Sequence, residues 1–399
     1  MKYELLSPAG NFEKLVSAVN FGCDAVYLSG EDFSLRAKSN NFKNDELKTA
    51  FDFLHRNGKK GYVTVNIYAR NEDFKKLADY LLYLEEISVD GLIISDPGVF
   101  KLTKDLKINL PVHISTQANT TNYMSVKFWE DLGVKRIVLA RELSKKEIEY
   151  ICKNTSVEIE VFVHGAMCIS HSGRCVLSNY MTQKDANRGE CTHPCRWNYY
   201  LMEETRPGEF FPVFEDERGT YIYNSKDLCL LEYLKELMDM GVKSFKIEGR
   251  MKSSMYTSVV TGVYKRGIEE IVTYGDITDR EYLLNMLSSV SNRHFTTGFY
   301  LGDDLFDSMN YSSSSYVRNT DYLGLVCSVT ENGLLFISKG KILDGEKIAL
   351  LDTNLVEEMI TAELYDINGK KIDFTKPNEK YILKTEKSAK PYAILRRYL

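Results

Sequence analysis

Eight short apolar runs, most of them separated by stretches of helical period, constrain this chain more than any other feature. The runs lie at residues 4–7, 25–28, 61–65, 91–95, 111–115, 136–140, 158–163 and 244–247. Between them, residues 12–21, 45–56, 73–87 and 145–153 carry apolar side chains at helical spacing. Alternating strands and helices build a parallel sheet, because each helical crossover returns the chain to the same end of the sheet. Eight such units close the sheet on itself, so the expected fold is α/β, a (β/α)8 TIM-like barrel. A doubly wound open sheet is the alternative.

The runs end in polar residues or glycine: Ser29-Gly30, Asn66, Asp96, Thr116-Gln117, Arg141-Glu142, His164-Gly165 and Glu248-Gly249-Arg250. In a barrel these ends share the C-terminal rim, where barrel enzymes hold their chemistry. Any one of them also reads as a residue that simply turns the chain. The other neighbouring runs start 20 to 36 residues apart, but the last two start at Glu158 and Ser244. The excess is an insertion after strand 7, residues 166–224, rich in Tyr, Arg, Asn and Gly. A helix over 227–240 with Ser225 as N-cap is expected to follow, and a last barrel helix over 254–272. From residue 322 onward, strand-like runs alternate with Asn-Gly and Asp-Gly turns, which are hairpin signals. The expected domains are 1–280 for the barrel, 281–320 for a connecting segment that includes the Ser-rich 311–317, and 321–399 for a small β-barrel-like domain.

Eight cysteines are present, and Cys168, Cys175, Cys191, Cys195 and Cys229 crowd one segment. No signal-peptide pattern opens the sequence, and no apolar run approaches the ~18 residues of a membrane helix. The expectation is a cytoplasmic protein without a membrane partner, where disulfides are rare and clustered cysteines point to metal or redox chemistry. Structural zinc favours paired knuckles, and only Cys191/Cys195 resembles one. An iron–sulfur cluster accepts thiolates from distant loops. Cys168 follows strand 7, Cys229 falls in the first turn of the expected helix, and Cys175 and Cys191 lie between them. These four can converge over the barrel mouth, with the helix N-terminus favouring thiolate at Cys229. Cys195 is a fifth candidate, as a substitute ligand or a free thiol. The plainer alternative is unligated cysteines acting as small apolar residues. Cys23, Cys152 and Cys327 read as structural thiols. With a net charge of −5, a nucleic-acid partner would need a local basic patch.

Three segments carry a resemblance to a known family: ELLSPAGNFEKLVSAVNFGCDAVYLSG, FVHGAMCISHSGRCVLSNYMTQKDANRGECTHPCRWNYY and NSKDLCLLEYLKELMDMGVKSFKIEGRMKS. They resemble the peptidase U32 family, the collagenase-like proteases, over nearly the whole chain. Relatives in that family include tRNA hydroxylation proteins that use prephenate to make 5-hydroxyuridine at the wobble position. Others are a ribosomal-RNA cytidine hydroxylase and a pair acting in oxygen-independent ubiquinone synthesis. The quinone pair carries four-cysteine 4Fe-4S clusters, and its ligand pattern maps best onto Cys168, Cys175, Cys191 and Cys229. Chain length and the β tail resemble the tRNA hydroxylation branch most. The resemblance therefore implies an iron–sulfur-dependent RNA modification enzyme with tRNA as partner and prephenate as co-substrate. The alternatives are a U32-type peptidase, or a cluster-bearing subunit that works with a paralogous protein partner.

The residues weigh on that choice. No HExxH metallopeptidase pattern and no G-x-S-x-G elbow occurs. A cysteine peptidase needs a Cys/His pair, and His164, His171 and His193 lie near the cysteines. A dicarboxylate such as prephenate needs cations, for which Arg141, Arg250 and Lys246 are rim candidates, with Arg36, Arg196, Arg218 and Lys252 on nearby segments. Each is equally an ordinary ion-pair residue. His164 reads as an acid/base or a structural hydrogen-bonder. Glu248 reads as a base or as the group that orients Arg250. Trp197, Tyr199, Tyr200, Phe210, Phe211, Tyr221 and Tyr223, interleaved with Arg196, Arg206 and Arg218, could stack on an unpaired base or form the insertion's own core.

Overall fold

The computed structural model describes residues 2–31, 33–34, 41–168, 170–192, 194, 201–202, 210–211, 214–216, 219–221, 225–302, 316–387 and 389–399. Arg36, His193, Cys195, Arg196, Trp197, Tyr199, Tyr200, Arg206, Arg218 and Tyr223 lie outside the described residues. The chain divides into two compact units, residues 1–15, 23–251 and 292–316, and residues 16–22, 252–291 and 317–399.

The first unit holds eight parallel strands: β1 (Glu4–Pro8), β2 (Ala25–Leu28), β3 (Lys60–Val65), β4 (Gly91–Ile94), β5 (Val112–Ile114), β6 (Arg136–Val138), β7 (Glu158–Ala166) and β8 (Ser244–Ile247). Each pairs with the next, and β8 pairs with both β7 and β1. The sheet is closed, as eight units predict, and the open doubly wound sheet is excluded. The strands are apolar on both faces because helices cover the outside while side chains fill the inside. The helices are α1 (Phe12–Asn20), whose residues from Val16 on group with the second unit, α2 (Asn44–Arg56), α3 (Phe74–Glu86), α4 (Pro97–Asp105), α5 (Tyr123–Asp131) and α6 (Lys145–Asn154). In α2 the buried residues are Leu47, Ala50, Phe51 and Leu54, one face of a helix laid on the sheet. Asp96 caps α4 by accepting from the Gly98 and Val99 amides, with Pro97 in the first turn.

The barrel interior has two layers. Leu6, Ala25, Tyr27, Tyr62 and Ile93 form an apolar and aromatic one. Near the strand starts lies a charged one, built around Arg136 and Glu160. The Arg136 guanidinium donates to Glu4, to Glu158 at 2.8 Å and to Glu160 at 3.2 Å. Glu160, fully buried, also accepts from Lys246 Nζ and Ser244 Oγ, each at 2.9 Å. Burial alone would raise the Glu160 carboxyl, but Lys246 and Arg136 outweigh it and hold the pKa below the usual range.

His113 packs its ring 4.5 Å from Tyr62 in this layer. Burial first, and then the Arg136 charge, push it down to about 3. The unfolded chain takes up a proton at His113 below the ordinary value of 6.5, whereas the fold does not until about 3. Between these values the unfolded state binds more protons, so stability rises with pH. His113→Phe is therefore expected to flatten the loss of stability between about pH 7 and about pH 5. Denaturant unfolding at both values checks this, and equal slopes in the two proteins would clear His113 of the effect.

The insertion contains α7 (Leu177–Thr182) and short strands at Leu201–Met202, Phe210–Phe211, Phe214–Asp216 and Gly219–Tyr221. The helix expected over 227–240 starts later: α8 is Leu234–Met240, and Asp227–Cys229 is a strand. It runs antiparallel to the end of β7, with Asp227 opposite Ala166, Leu228 opposite Gly165 and Cys229 opposite His164. β7 outruns its barrel neighbours, so its last backbone groups need partners, and the returning chain supplies them. Phe295–Thr296 then pairs with the strand's other edge. Cys229 thus ends a strand instead of lying in the first turn of a helix, and a 3-10 turn at Leu231–Tyr233 leads from it into α8.

The second unit combines α9 (Ser254–Tyr274) and α10 (Arg280–Ser289) with a seven-stranded antiparallel half-barrel sheet. Its strands are β9 (Thr320–Thr330), β10 (Gly333–Ser338), β11 (Lys347–Leu351), β12 (Glu357–Thr361), β13 (Glu363–Tyr365), β14 (Lys380–Lys384) and β15 (Ile394–Tyr398), in the order β12-β11-β15-β9-β10-β14-β13. Arg396, fully buried, ties β15 to α10 through Ser289 Oγ at 2.6 Å and pairs with Glu357. Among the described residues, no helix is long and apolar enough to cross a membrane.

Candidate active site

The C-terminal strand ends surround a cavity of about 200 Å³. Its walls include Tyr27, Thr64, Asn66, Gln117, Arg141, Phe162, Lys246, Glu248 and Arg250 from the barrel. Cys168, Cys175 and Cys191 line it from the insertion. Three of the four cysteines singled out by sequence, and three of the four catalytic candidates, therefore share one space.

Each cysteine-bearing segment has its own tether. Glu142, just past β6, accepts from the Ser172 amide and from Ser172 Oγ at 2.6 Å. The Asn187 side chain accepts from the Cys175 amide at 3.2 Å and donates to the Cys175 carbonyl at 2.8 Å, as a strand partner would. The next residue, Arg188, forks onto Asp73 at 2.7 and 3.0 Å. Beside Cys191, Thr192 joins Ser178 and Thr182 in a hydroxyl cluster on α7. Desolvation raises the Cys168 thiol pKa, the Ser170 backbone and Arg141 oppose it, and Cys175 and Cys191 add to it. Among the described residues, no three His, Cys, Asp or Glu side chains stand in an arrangement that holds a metal ion as they are.

The cations are set by different means. Arg141 lies 3.9 Å over the Phe162 ring, donates to the Ala166 carbonyl at 2.7 Å and pairs with Glu248 at 3.6 Å. Its Nε is buried with no hydrogen-bond partner among the described residues. Arg250, 4% exposed, donates to the hydroxyls of Ser29, Thr64 and Ser34. Lys246 stands between Tyr27 and Phe162, with Glu160 beneath it. Arg293 also lines the cavity, fixed by Asp227 at 2.8 Å. The sequence offered no signal for Arg293, which enters from a loop far beyond the last barrel strand. Asn187 likewise looked like any polar loop residue. Glu160 had one faint mark, the acid at every second position in Glu158-Ile159-Glu160 at the start of an apolar strand.

His164 is not brought to the cavity. β8 pairs Lys246 with Phe162 but Ile247 with His164, so β7 carries a bulge that reverses which side its next residue faces. His164 is 1% exposed and packs 5.5 Å from Phe295. Cys229, directly opposite it in an antiparallel pair, takes the same side, and neither residue lines the cavity. Gly165 makes the bulge possible. Its φ is +110°, and a Cβ there would stand 2.3 Å from the Glu248 carbonyl oxygen.

Comparison with known proteins places this site in context. The profile of peptidase family U32 matches residues 10–310. The tRNA hydroxylation protein P1 of Bacillus subtilis is 35% identical over 402 residues, covering 99% of this chain and 95% of that protein. The tRNA hydroxylation protein P of Escherichia coli is 39% identical over 392 residues, covering 88% and 86%. A protein named collagenase from Porphyromonas gingivalis is 32% identical over 338 residues, covering 81% and 79%.

Proposed function

The chain belongs to peptidase family U32, and from that premise we propose that it hydroxylates the wobble uridine of tRNA, with a four-iron cluster as cofactor and prephenate as oxygen donor. The observation that carries this reading is the cavity itself, where three cysteines and four buried or half-buried cations meet. The names of the two tRNA hydroxylation relatives support the substrate.

The donor set suits a cluster in its chemistry. Cys168, Cys175 and Cys191 are thiol donors on one wall. Cys229 follows two residues after Asp227, the group that holds the cavity's Arg293. In this reading Cys168, Cys175 and Cys191 hold the cluster, and Cys229, which does not line the cavity in this structure, would complete the set once the strand it ends has shifted. When bound, the cluster supplies Lewis-acid or electron-transfer chemistry at the cavity wall. The residues of the chain do the rest. The Arg141 Nε is a buried donor that a carboxylate would satisfy, and Arg250, Arg293 and Lys246 give a second carboxylate a place to bind. Glu248, paired with Arg141, is placed to hold that guanidinium in position or to accept a proton. His164, away from the cavity, supports the bulge rather than touching substrate.

Two assays test the proposal. Anaerobically purified protein is expected to carry about four irons with acid-labile sulfide, lost in Cys168→Ala and in Cys229→Ala. tRNA from cells lacking the protein is expected to lack 5-hydroxyuridine, restored by the wild type and not by Cys168→Ala. Zinc alone, or no metal, together with unchanged tRNA and hydrolysis of gelatin, would favour the peptidase reading that the collagenase relative keeps in view.

A further inference from the structure

In the second unit, residues 341–344 and 373–376 form a short antiparallel ribbon. The Asp344 amide donates to the Asp373 carbonyl at 2.8 Å, and the Thr375 amide to the Ile342 carbonyl at 3.0 Å. Leu343 and Phe374 face each other between these bonds. This is the non-hydrogen-bonded type of antiparallel pair, in which opposed side chains are closest and share a side. Leu343 is 49% exposed and Phe374 45%. Two residues along each strand, the same side carries Lys341 and Lys376, both exposed. The Lys341 ammonium lies 4.8 Å from the Phe374 ring centroid.

The other side of the ribbon serves the fold. Ile342 and Thr375 are buried, and Thr375 Oγ1 accepts from the Ile342 amide and bonds Ser338, each at 3.0 Å. The exposed side does nothing comparable. It sets two large apolar groups in water and brings two like charges to one narrow face, which opposes folding. Of the nearby acids, Asp344 pairs with Lys371 at 3.1 Å, Glu346 with Arg397, and Glu379 accepts from the Tyr381 hydroxyl at 2.6 Å, while Asp373, exposed beside Phe374, has no ion pair among the described residues. Lys341 and Lys376 have no ion-pair partner among the described residues.

We propose that this face binds an unpaired stretch of RNA, one base lying on Phe374 and Leu343 and the flanking phosphates meeting Lys341 and Lys376. A flat apolar group joined to anions on both sides is what the arrangement complements, and a ring already carrying a cation is the common platform for it. An anionic bilayer would ask for a wider apolar surface than one aromatic and one leucine. The inference rests on the reading that the substrate is an RNA.

The test uses the full chain and a fluorescent single-stranded RNA oligonucleotide, its duplex form, and phosphatidylserine vesicles. Phe374→Ala is expected to weaken single-strand binding about tenfold. The double variant Lys341→Ala/Lys376→Ala is expected to reduce the slope of log affinity against log salt by about 1.4. Lys347→Ala, an exposed lysine elsewhere in the sheet, is expected to change neither. All these side chains are exposed, so thermal unfolding should stay unchanged and exclude misfolding as the cause. Equal single-strand binding by wild type and variants, no binding by wild type, or a loss confined to duplex or vesicles would each overturn the inference. The two ideas fail separately. If wild type restores 5-hydroxyuridine but the variants bind RNA normally, the ribbon is wrong and the reaction stands. If the variants lose RNA binding while tRNA from deletion cells is unchanged, the ribbon stands and the reaction is wrong.

Discussion

Glu160→Ala is expected to lower the unfolding free energy by about 3–5 kcal/mol, because it strands the Lys246 ammonium inside the barrel. Glu160 is fully buried and accepts from Lys246, Ser244 and Arg136. Arg136 keeps Glu4 and Glu158 when Glu160 is gone. Lys246 loses its carboxylate and is left 5% exposed against Tyr27 and Phe162, whose ring faces compensate an ammonium only in part. Replacing both partners, Glu160→Leu with Lys246→Met, should cost less than Glu160→Ala alone, since no charge is left unpaired. Equilibrium unfolding in urea compares the variants. A loss under about 1 kcal/mol in Glu160→Ala would mean that water or a rearranged Lys246 already solvates the site, and the charged layer would not have the role assigned here.

Gly165→Ala should be nearly as damaging, by about 3 kcal/mol or more, and its effect reaches the site. At φ +110° an alanine is strained whatever space surrounds it, and here the space is taken by the Glu248 carbonyl oxygen at 2.3 Å. That atom belongs to the backbone, so no rotamer change relieves the clash. The bulge or the start of the β8 loop must move, and with it Glu248, its partner Arg141, and the chain leading to Cys168. The expected result is a lower midpoint in thermal unfolding and, under the proposed cluster reading, reduced iron content in anaerobically purified protein. A Gly165→Ala protein as stable as wild type would show that the bulge relaxes to an ordinary strand, which the structure gives it no room to do.

Most of the barrel could be read from the chain because strand and helix periods are local properties. Apolar runs such as Ala25–Leu28 and Gly91–Ile94 announce themselves within a few residues, and eight of them leave little choice of architecture. The cysteine crowding was equally legible, since spacing along the chain is itself a local property. The ribbon at Leu343 and Phe374 was not legible: Asp344-Gly345 signals a hairpin between the flanking runs, but β10 and β11 do not pair with each other, and Leu343 meets Phe374 instead.

What local pattern could not supply was everything that depends on where two distant segments meet. Residues 227–229 carry helix-compatible side chains, yet the unpaired edge of β7 recruits them into a strand, because an unmet backbone bond outweighs a weak local preference. His164 follows the strand pattern and should face the rim, but one bulge residue reverses its side. Arg293, Asn187 and Glu160 became site or support residues only through contacts with chain far away in sequence. The order of residues was enough to specify a closed barrel with thiols over its mouth. The side on which each side chain stands, and the partner of each buried charge, were decided by backbone pairing and desolvation in the folded chain.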